Sequence, residues 1–306
     1  MKIAILGASS QISKGLIKLY SKNEKYHLKL FVRDKLTLQA WIKSNRLIEN
    51  ISVHHFDEFT MNLHLDLIIN CVGVGDPSKL AQLGSTLLET TRIFDDLAIN
   101  YLVKNSNTKY IFLSSGAVYG DIFSVPAGEV SKAVIDLDFR APSDFYSLSK
   151  LYAEARHRAL SHLSIIDLRV FNYISNDLDI DGNFFISQLV KSLVNKTTFA
   201  TNPSNMIRDY IGPDDLFLLI ESIIESENLN DSFDCYTRQP IDKFSILDFF
   251  NSEFHLNFLV EGQDNIKNSK ENYYSVNYKA KKLGFNPIYS SLENIQKSVI
   301  DIIKSS

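Results

Sequence analysis

The sequence predicts an α/β fold with a doubly wound parallel sheet, and two observations predict it. Short apolar runs rich in β-branched and aromatic residues alternate with longer stretches of helical spacing: IAIL (3–6), LKLFV (28–32), SVHHF (52–56), LDLIINCV (65–72), YIFLSS (110–115) and SIIDLRVF (164–171). Hydrophobicity in LDLIINCV and YIFLSS is continuous rather than alternating, which suits central strands covered on both faces. Ligands of such sheets bind beyond the carboxyl ends of the strands, so the residues that follow each run carry the functional information.

The first run passes into LGASSQIS (6–13) and then into the helix-like stretch 14–20. Strand, small-residue loop and helix in that order form a dinucleotide-binding turn, in which glycines make the bend, admit the pyrophosphate and let the helix approach the strand. Gly7 keeps the first role; the other two places fall on Ser10 and Ser13, or on Gln11 and Ser13, depending on the spacing. A plain strand-to-helix turn without a ligand has the same pattern. Backbone amides at a helix start favour an anion, and serine is small, so retained binding is expected.

The segment 83–103 is apolar on more than one side, as a helix buried against both a sheet and a partner would be. In DFYSLSKLYAEAR (144–156), Tyr146 and Lys150 are four apart and share one helix face. A neighbouring ammonium favours phenolate, which makes the pair a proton donor or acceptor for a carbonyl or alcohol. Ser114 and Ser115 end the run YIFLSS at the ligand-binding edge, where a hydroxyl can bond the same substrate oxygen. Beyond residue 172 the elements shorten and polar loops such as SNDLDIDGN (175–183) and ENLNDS (227–232) separate them, without a Pro-rich or Gly/Ser-rich linker. A smaller interleaved lobe is expected there, ending in a helix over 292–304.

Composition excludes several classes. A chain of 306 residues, 45% hydrophobic and 22% charged, is an ordinary globular protein. The net charge of -4 and the lack of a dense Lys/Arg block exclude a nucleic acid or an anionic membrane as the main partner. Cys71 and Cys235 lie in apolar runs and read as buried thiols in a reducing compartment. The N-terminal apolar run is too short for a signal peptide and no window is long enough to span a bilayer, so a cytoplasmic protein is expected. The seven histidines show no ligand spacing and no metal is expected; His54 and His55 alternate across a strand, while His157 and His162 are assigned to a solvated helix.

Taken in order, LGASSQIS, Asp57 after the third run, SSGAVYGD (114–121), PSDFYSLSKLYAE (142–154), LRVFN (168–172), MIRDYIGPDDL (206–216) and KKLGFNP (281–287) closely resemble the extended short-chain dehydrogenase/reductase family of nucleotide-sugar epimerases, dehydratases and reductases. The resemblance spans nearly the whole chain. It implies a Rossmann-like dinucleotide-binding domain over residues 1–171, to which segments near 205–225 return, and a mainly substrate-binding lobe over 172–306. It further implies Tyr146 as acid/base, Lys150 on the nicotinamide ribose, and Ser115 as the catalytic hydroxyl. Gly7, Ser10, Gln11 and Ile12 would line the pyrophosphate, with Asp57 at the adenine and Cys71, Val72 and Gly73 also against the cofactor. Arg208 would grip the substrate diphosphate, with Asn172 near the same phosphates. A homodimer through the helix carrying Tyr146 and the helix before it is expected.

Arg33, at the end of the second run, suits a 2′-phosphate and directs the cofactor expectation to NADP over NAD. Family dehydratases carry an Asp-Glu pair after the catalytic residue; Gly116 and Ala117 stand there and transfer no protons, so dehydration is not expected. The leading expectation is an NADP(H)-dependent reductase of a nucleotide-linked 4-keto-6-deoxysugar in polysaccharide biosynthesis. The alternatives are a nucleotide-sugar epimerase with retained NAD and, in another class, a non-catalytic NADP-sensing regulator.

Overall fold

The computed structural model describes residues 1–47, 50–84, 86–136, 138, 141–262 and 270–305. The six apolar runs form strands β1 (Lys2–Leu6), β2 (His27–Phe31), β3 (Ile51–His54), β4 (Leu67–Asn70), β5 (Lys109–Ser115) and β6 (Ile165–Val170). Between them lie α1 (Gln11–Tyr20), α2 (Lys35–Ser44), α3 (Pro77–Leu83), α4 (Thr86–Lys104) and α5 (Pro142–Ala159). The segment read as one helix over 83–103 is thus the end of α3 followed by α4.

The rest of the chain contributes β7 (Asn172–Tyr173), α6 (Phe185–Val194), β8 (Phe199–Thr201), β9 (Ile207–Arg208), β10 (Tyr210–Ile211), α7 (Pro213–Glu225), β11 (Asp231–Asp234), β12 (Ile241–Asp242), α8 (Lys243–Phe254), β13 (Phe258–Val260), β14 (Asn272–Tyr273) and α9 (Ser291–Ser305). The main sheet is parallel in the order β11-β6-β5-β4-β1-β2-β3. Its order reverses at β1, so the carboxyl ends of β1 and β4 open onto a crevice, the position at which such sheets take ligands.

Strand β11 is a departure from the sequence reading, which ended a polar loop at Ser232. The segment DSFD pairs with β6 in register, Phe233 against Leu168, and closes that edge of the sheet. Edge position explains its polarity: only Phe233 faces the core, and Asp234 turns to Tyr119, Arg169 and Ser275.

Each sheet face has its own apolar core. Ile3, Ile5, Leu28, Leu30 and Ile69 pack under α1 and α7, whereas Ala4, Leu6, Ile68, Tyr110 and Phe112 pack under α4 and α5. A third core, containing Ile186, Leu189, Leu247, Phe250, Ile295 and Val299, joins α6, α8 and α9. Among the described residues, no helix is long and apolar enough to cross a membrane.

His157 corrects the sequence reading. It is fully buried on the sheet side of α5, while His162 is exposed beyond the helix end. Nε2 of His157 lies 2.8 Å from Asp95 on α4, and Nδ1 lies 2.6 Å from Asp167 on β6. Arg156 reaches Asp95 at 3.0 Å and Arg158 reaches Asp167 at 2.8 Å, extending the chain of alternating charges at both ends. Burial pulls the imidazole pKa down, but bonds to Asp167 and Asp95 outweigh it and hold the value at about 9.

A histidine whose folded pKa is raised stabilises the protein fully below the unfolded value near 6.5 and loses that contribution as pH rises through about 9. The contribution is on the order of 3 kcal/mol. Denaturant titrations from pH 6 to 9.5 should therefore show stability falling in the wild type and the slope flattening in H157Q; equal slopes would contradict the buried imidazolium.

Candidate active site

The turn after β1 is built around Gly7. Its φ of +75° is a left-handed value, and a Cβ there would lie 3.0 Å from the Cys71 carbonyl carbon and the Val72 nitrogen. The amides of Gly7 and Ala8 donate to the Phe31 carbonyl at 3.0 and 3.1 Å, locking the turn to β2. Serines take the places of the other glycines without strain. Ser10 has φ -70° and caps α1, its hydroxyl accepting from the Ser13 amide. Ser13 is fully buried and donates its own hydroxyl to the Gly7 carbonyl at 2.9 Å, so it holds the helix close to the strand.

The first-turn amides of Gln11 and Ile12 have no carbonyl one turn back within the helix, and they supply donors at its positive end. A bare glycine cradle, a strain-free capping serine and a helix start together fit the diphosphate of a dinucleotide. The Gln11 side chain itself turns away to Ser175, 3.3 Å distant.

Ser115, Tyr146 and Lys150 converge at the end of β5. Ser115 closes that strand and caps the short 3-10 turn Gly116–Tyr119, its hydroxyl accepting from the Ala117 amide at 3.2 Å. Helix α5 opens with Pro142 at its start and Asp144 in its first turn, an arrangement that suits a helix N-terminus. Tyr146 then reaches Ser115 from the first turns of the helix. Lys150, one turn on, donates to the Leu113 carbonyl at 2.8 Å and stands 4.4 Å over the Phe112 ring. A Cβ on Gly73 would come within 3.4 Å of its Nζ, so the amine also faces the loop after β4.

Electrostatics differ from the sequence expectation. Burial pushes the Tyr146 phenol up, opposed by its bond to Ser115, and Lys150 lies 5.9 Å from the phenol ring without drawing it down. Burial lowers the Lys150 ammonium to about 8, against the pull of Asp95, Cys71, Asp167 and Glu154. At neutral pH the lysine is charged and the tyrosine is a proton donor. Burial also pushes the Cys71 thiol up to about 12, which makes it a poor nucleophile.

Arg208 and Asn172 arrive from the second half of the chain. Asn172 donates to the Asp209 carbonyl at 3.3 Å. Arg208 directs Nη1 to the carbonyls of Ile207 and Lys270, at 2.8 and 2.6 Å. Strand β14 pairs with β9 so that Tyr273 sits beside Arg208, and the Tyr273 hydroxyl lies 3.2 Å from that of Ser115. Lys270 stands 5.0 Å over the Tyr273 ring. Tyr273 and Lys270 have no sequence signal: 158 positions separate Tyr273 from Ser115, and only the tertiary fold joins them.

The remaining positions lie around the Gly7 turn or beyond it. Cys71 and Val72 back the Gly7 turn, with the Val72 amide bonded to Asn70. Arg33 follows β2 and is exposed; its neighbour Asp34 caps α2 through the Thr37 amide and hydroxyl. Asp57 is exposed in the turn after β3 and contacts His55 at 2.9 Å.

Comparisons with known proteins accord with this fold. The fold is similar to that of a UDP-glucuronic acid 4-epimerase from Bacillus cereus in complex with UDP-glucuronic acid and NAD, with a TM-score of 0.79, 18% identity, and coverage of 100% of this chain and 99% of that one. It is similar to a UDP-glucose 4-epimerase from Thermotoga maritima with UDP-glucose, at 0.79 and 17% over the same shares. A UDP-N-acetylglucosamine 4-epimerase from Methanobrevibacter ruminantium M1 follows at 0.78 and 15%, again with 100% and 99% covered. A search among curated proteins finds no match. Identities this low carry the fold alone, whereas the sequence of residues 3–234, most of the chain, matches one family directly. The chain belongs to the NAD dependent epimerase/dehydratase family.

Proposed function

We propose that the chain is a nucleotide-sugar 4-epimerase that uses NAD, a cytoplasmic homodimer joined through α4 and α5. The convergence of Ser115, Tyr146 and Lys150 beside the Gly7 cradle carries this reading. The NAD-containing 4-epimerases among its structural relatives support epimerisation over the keto-sugar reductase, and NAD over NADP, that the sequence reading put first. Exposed Ile93 and Val103 on α4 and Tyr152 on α5 supply an apolar surface for a second copy. A regulator that only senses the dinucleotide would have no use for a phenol and a hydroxyl set together at the strand end.

In this reading residues 1–171 hold the dinucleotide and residues 172–306 mainly hold the sugar nucleotide. Gly7, Ser10, Gln11 and Ile12 surround the diphosphate, Cys71, Val72 and Gly73 flank it, Lys150 bonds the nicotinamide ribose, and Arg33 and Asp57 lie toward the adenosine end. The bound nicotinamide supplies a reversible two-electron oxidant for the sugar carbon. As phenolate, the form that a bound cationic nicotinamide would favour against the effect of burial, Tyr146 would take the hydroxyl proton at O4 and return it after the sugar ring has presented its other face. Ser115 bonds the same oxygen and steadies the charge that develops on it. Arg208 keeps Nη2 and Nε for the substrate diphosphate, and Lys270 adds a second positive charge beside it.

Two outcomes follow. Y146F should lower interconversion of UDP-hexose epimers, followed by chromatography, by about 100-fold or more while leaving NAD affinity within about twofold; retention of a tenth of the activity would contradict the assigned proton transfer. Calorimetry should show NAD binding more tightly than NADP, with R33A leaving NAD affinity nearly unchanged. Tighter NADP binding that collapses in R33A would reverse the cofactor assignment.

A further inference from the structure

Residues 175–183, between β7 and α6, run from one side of the Gly7 turn to the other. At the first side, Ser175 accepts from Gln11. Asp177 then takes two donors from different helices: Lys18 of α1 at 2.7 Å on one carboxylate oxygen and the Trp41 indole of α2 at 3.1 Å on the other. Lys18 also reaches Asn176 at 3.1 Å. At the far side, the Asn183 amide donates to Asp76 at 3.1 Å, and the Phe184 ring comes up to Gly75. Asp76 belongs to the loop that begins with Cys71, Val72 and Gly73, so the segment spans the crevice from α1 to the loop after β4.

The Asp177 side chain is only 9% exposed and that of Lys18 23%. A carboxylate so placed is worth more than a surface ion pair, because lifting the segment leaves a partly desolvated ammonium and an indole N–H without their acceptor. We infer that Asp177 is a positioning residue that latches residues 175–183 across the dinucleotide crevice and slows the escape of the dinucleotide held beneath them. The inference rests on the NAD reading above and deepens it: a 4-epimerase restores its cofactor within each cycle and needs no exchange, whereas a reductase must release it. Gln11 ties the latch to the diphosphate loop, so the segment cannot lift without disturbing the turn beneath it.

The test is the release rate of NADH from the full-length protein, measured by stopped-flow fluorescence after a chase with excess NAD. D177A should release NADH about 10-fold to 100-fold faster than the wild type, with D177N between them and D177E restored toward the wild-type rate. Trp41 is the only tryptophan, and its emission in the NADH-free protein should become more accessible to acrylamide in D177A. Release rates within about twofold across wild type, D177N and D177A would overturn the latch. Failure of the wild type to bind NADH at all would instead overturn the cofactor reading, and the latch with it.

Discussion

The grip of α5 on the sheet is the constraint on which the site depends, because Tyr146 and Lys150 are useful only if that helix keeps one register against β5. The grip is largely polar. Lys150 holds the Leu113 carbonyl, Glu154 takes the Ser114 hydroxyl at 2.6 Å and the Arg169 guanidinium, and His157 bridges Asp95 and Asp167. Residues 150, 154 and 157 lie on one helix face, where an ordinary amphipathic helix would present apolar side chains. Apolar contacts permit sliding, whereas directed bonds to fixed partners on α4, β5 and β6 define one axial position. Desolvating so many charges works against stability, and what it returns here is register.

The second half of the chain completes what the sheet begins. Asp234 at the end of β11 accepts from Tyr119 and from Ser275, and thereby joins the turn after Ser115 to the segment that follows Tyr273. Phe123, Phe171 and Tyr273 pack edge-on and tilted against one another around that junction. The Tyr273 hydroxyl consequently meets Ser115, and Arg208 and Lys270 place positive charge beside the Tyr273 ring. A sugar nucleotide entering here would meet hydroxyls at its reacting end and cations at its phosphates.

Much of the sheet and part of the site were legible in the sequence, for identifiable reasons. Buried parallel strands announce themselves as continuous apolar runs, and all six runs became strands. Ser115, Tyr146 and Lys150 were legible because strand end and helix spacing are local patterns. His157 was not, because period analysis equates polar with solvated, and only the fold shows Asp95 and Asp167 facing it. Strand β11 escaped for a related reason: an edge strand with one core side chain has little apolar content to reveal it. Tyr273, Lys270 and the Asp177 latch are long-range contacts among unremarkable residues, and no local pattern encodes them. The missing loop glycines proved a smaller departure than they looked, since only Gly7 occupies a left-handed conformation there.

In the proposed reaction the hydroxyl, phenol and amine at the end of β5 interconvert a sugar epimer pair through a dinucleotide that stays bound. The most direct measurement is the fate of deuterium placed on C4 of a UDP-hexose during incubation with the protein and an excess of free unlabelled NAD. Both epimers should form and the label should stay on C4, with none appearing in the free dinucleotide pool. Conversion with transfer of deuterium to free NADH would contradict this reaction, as would the absence of any conversion by protein loaded with NAD.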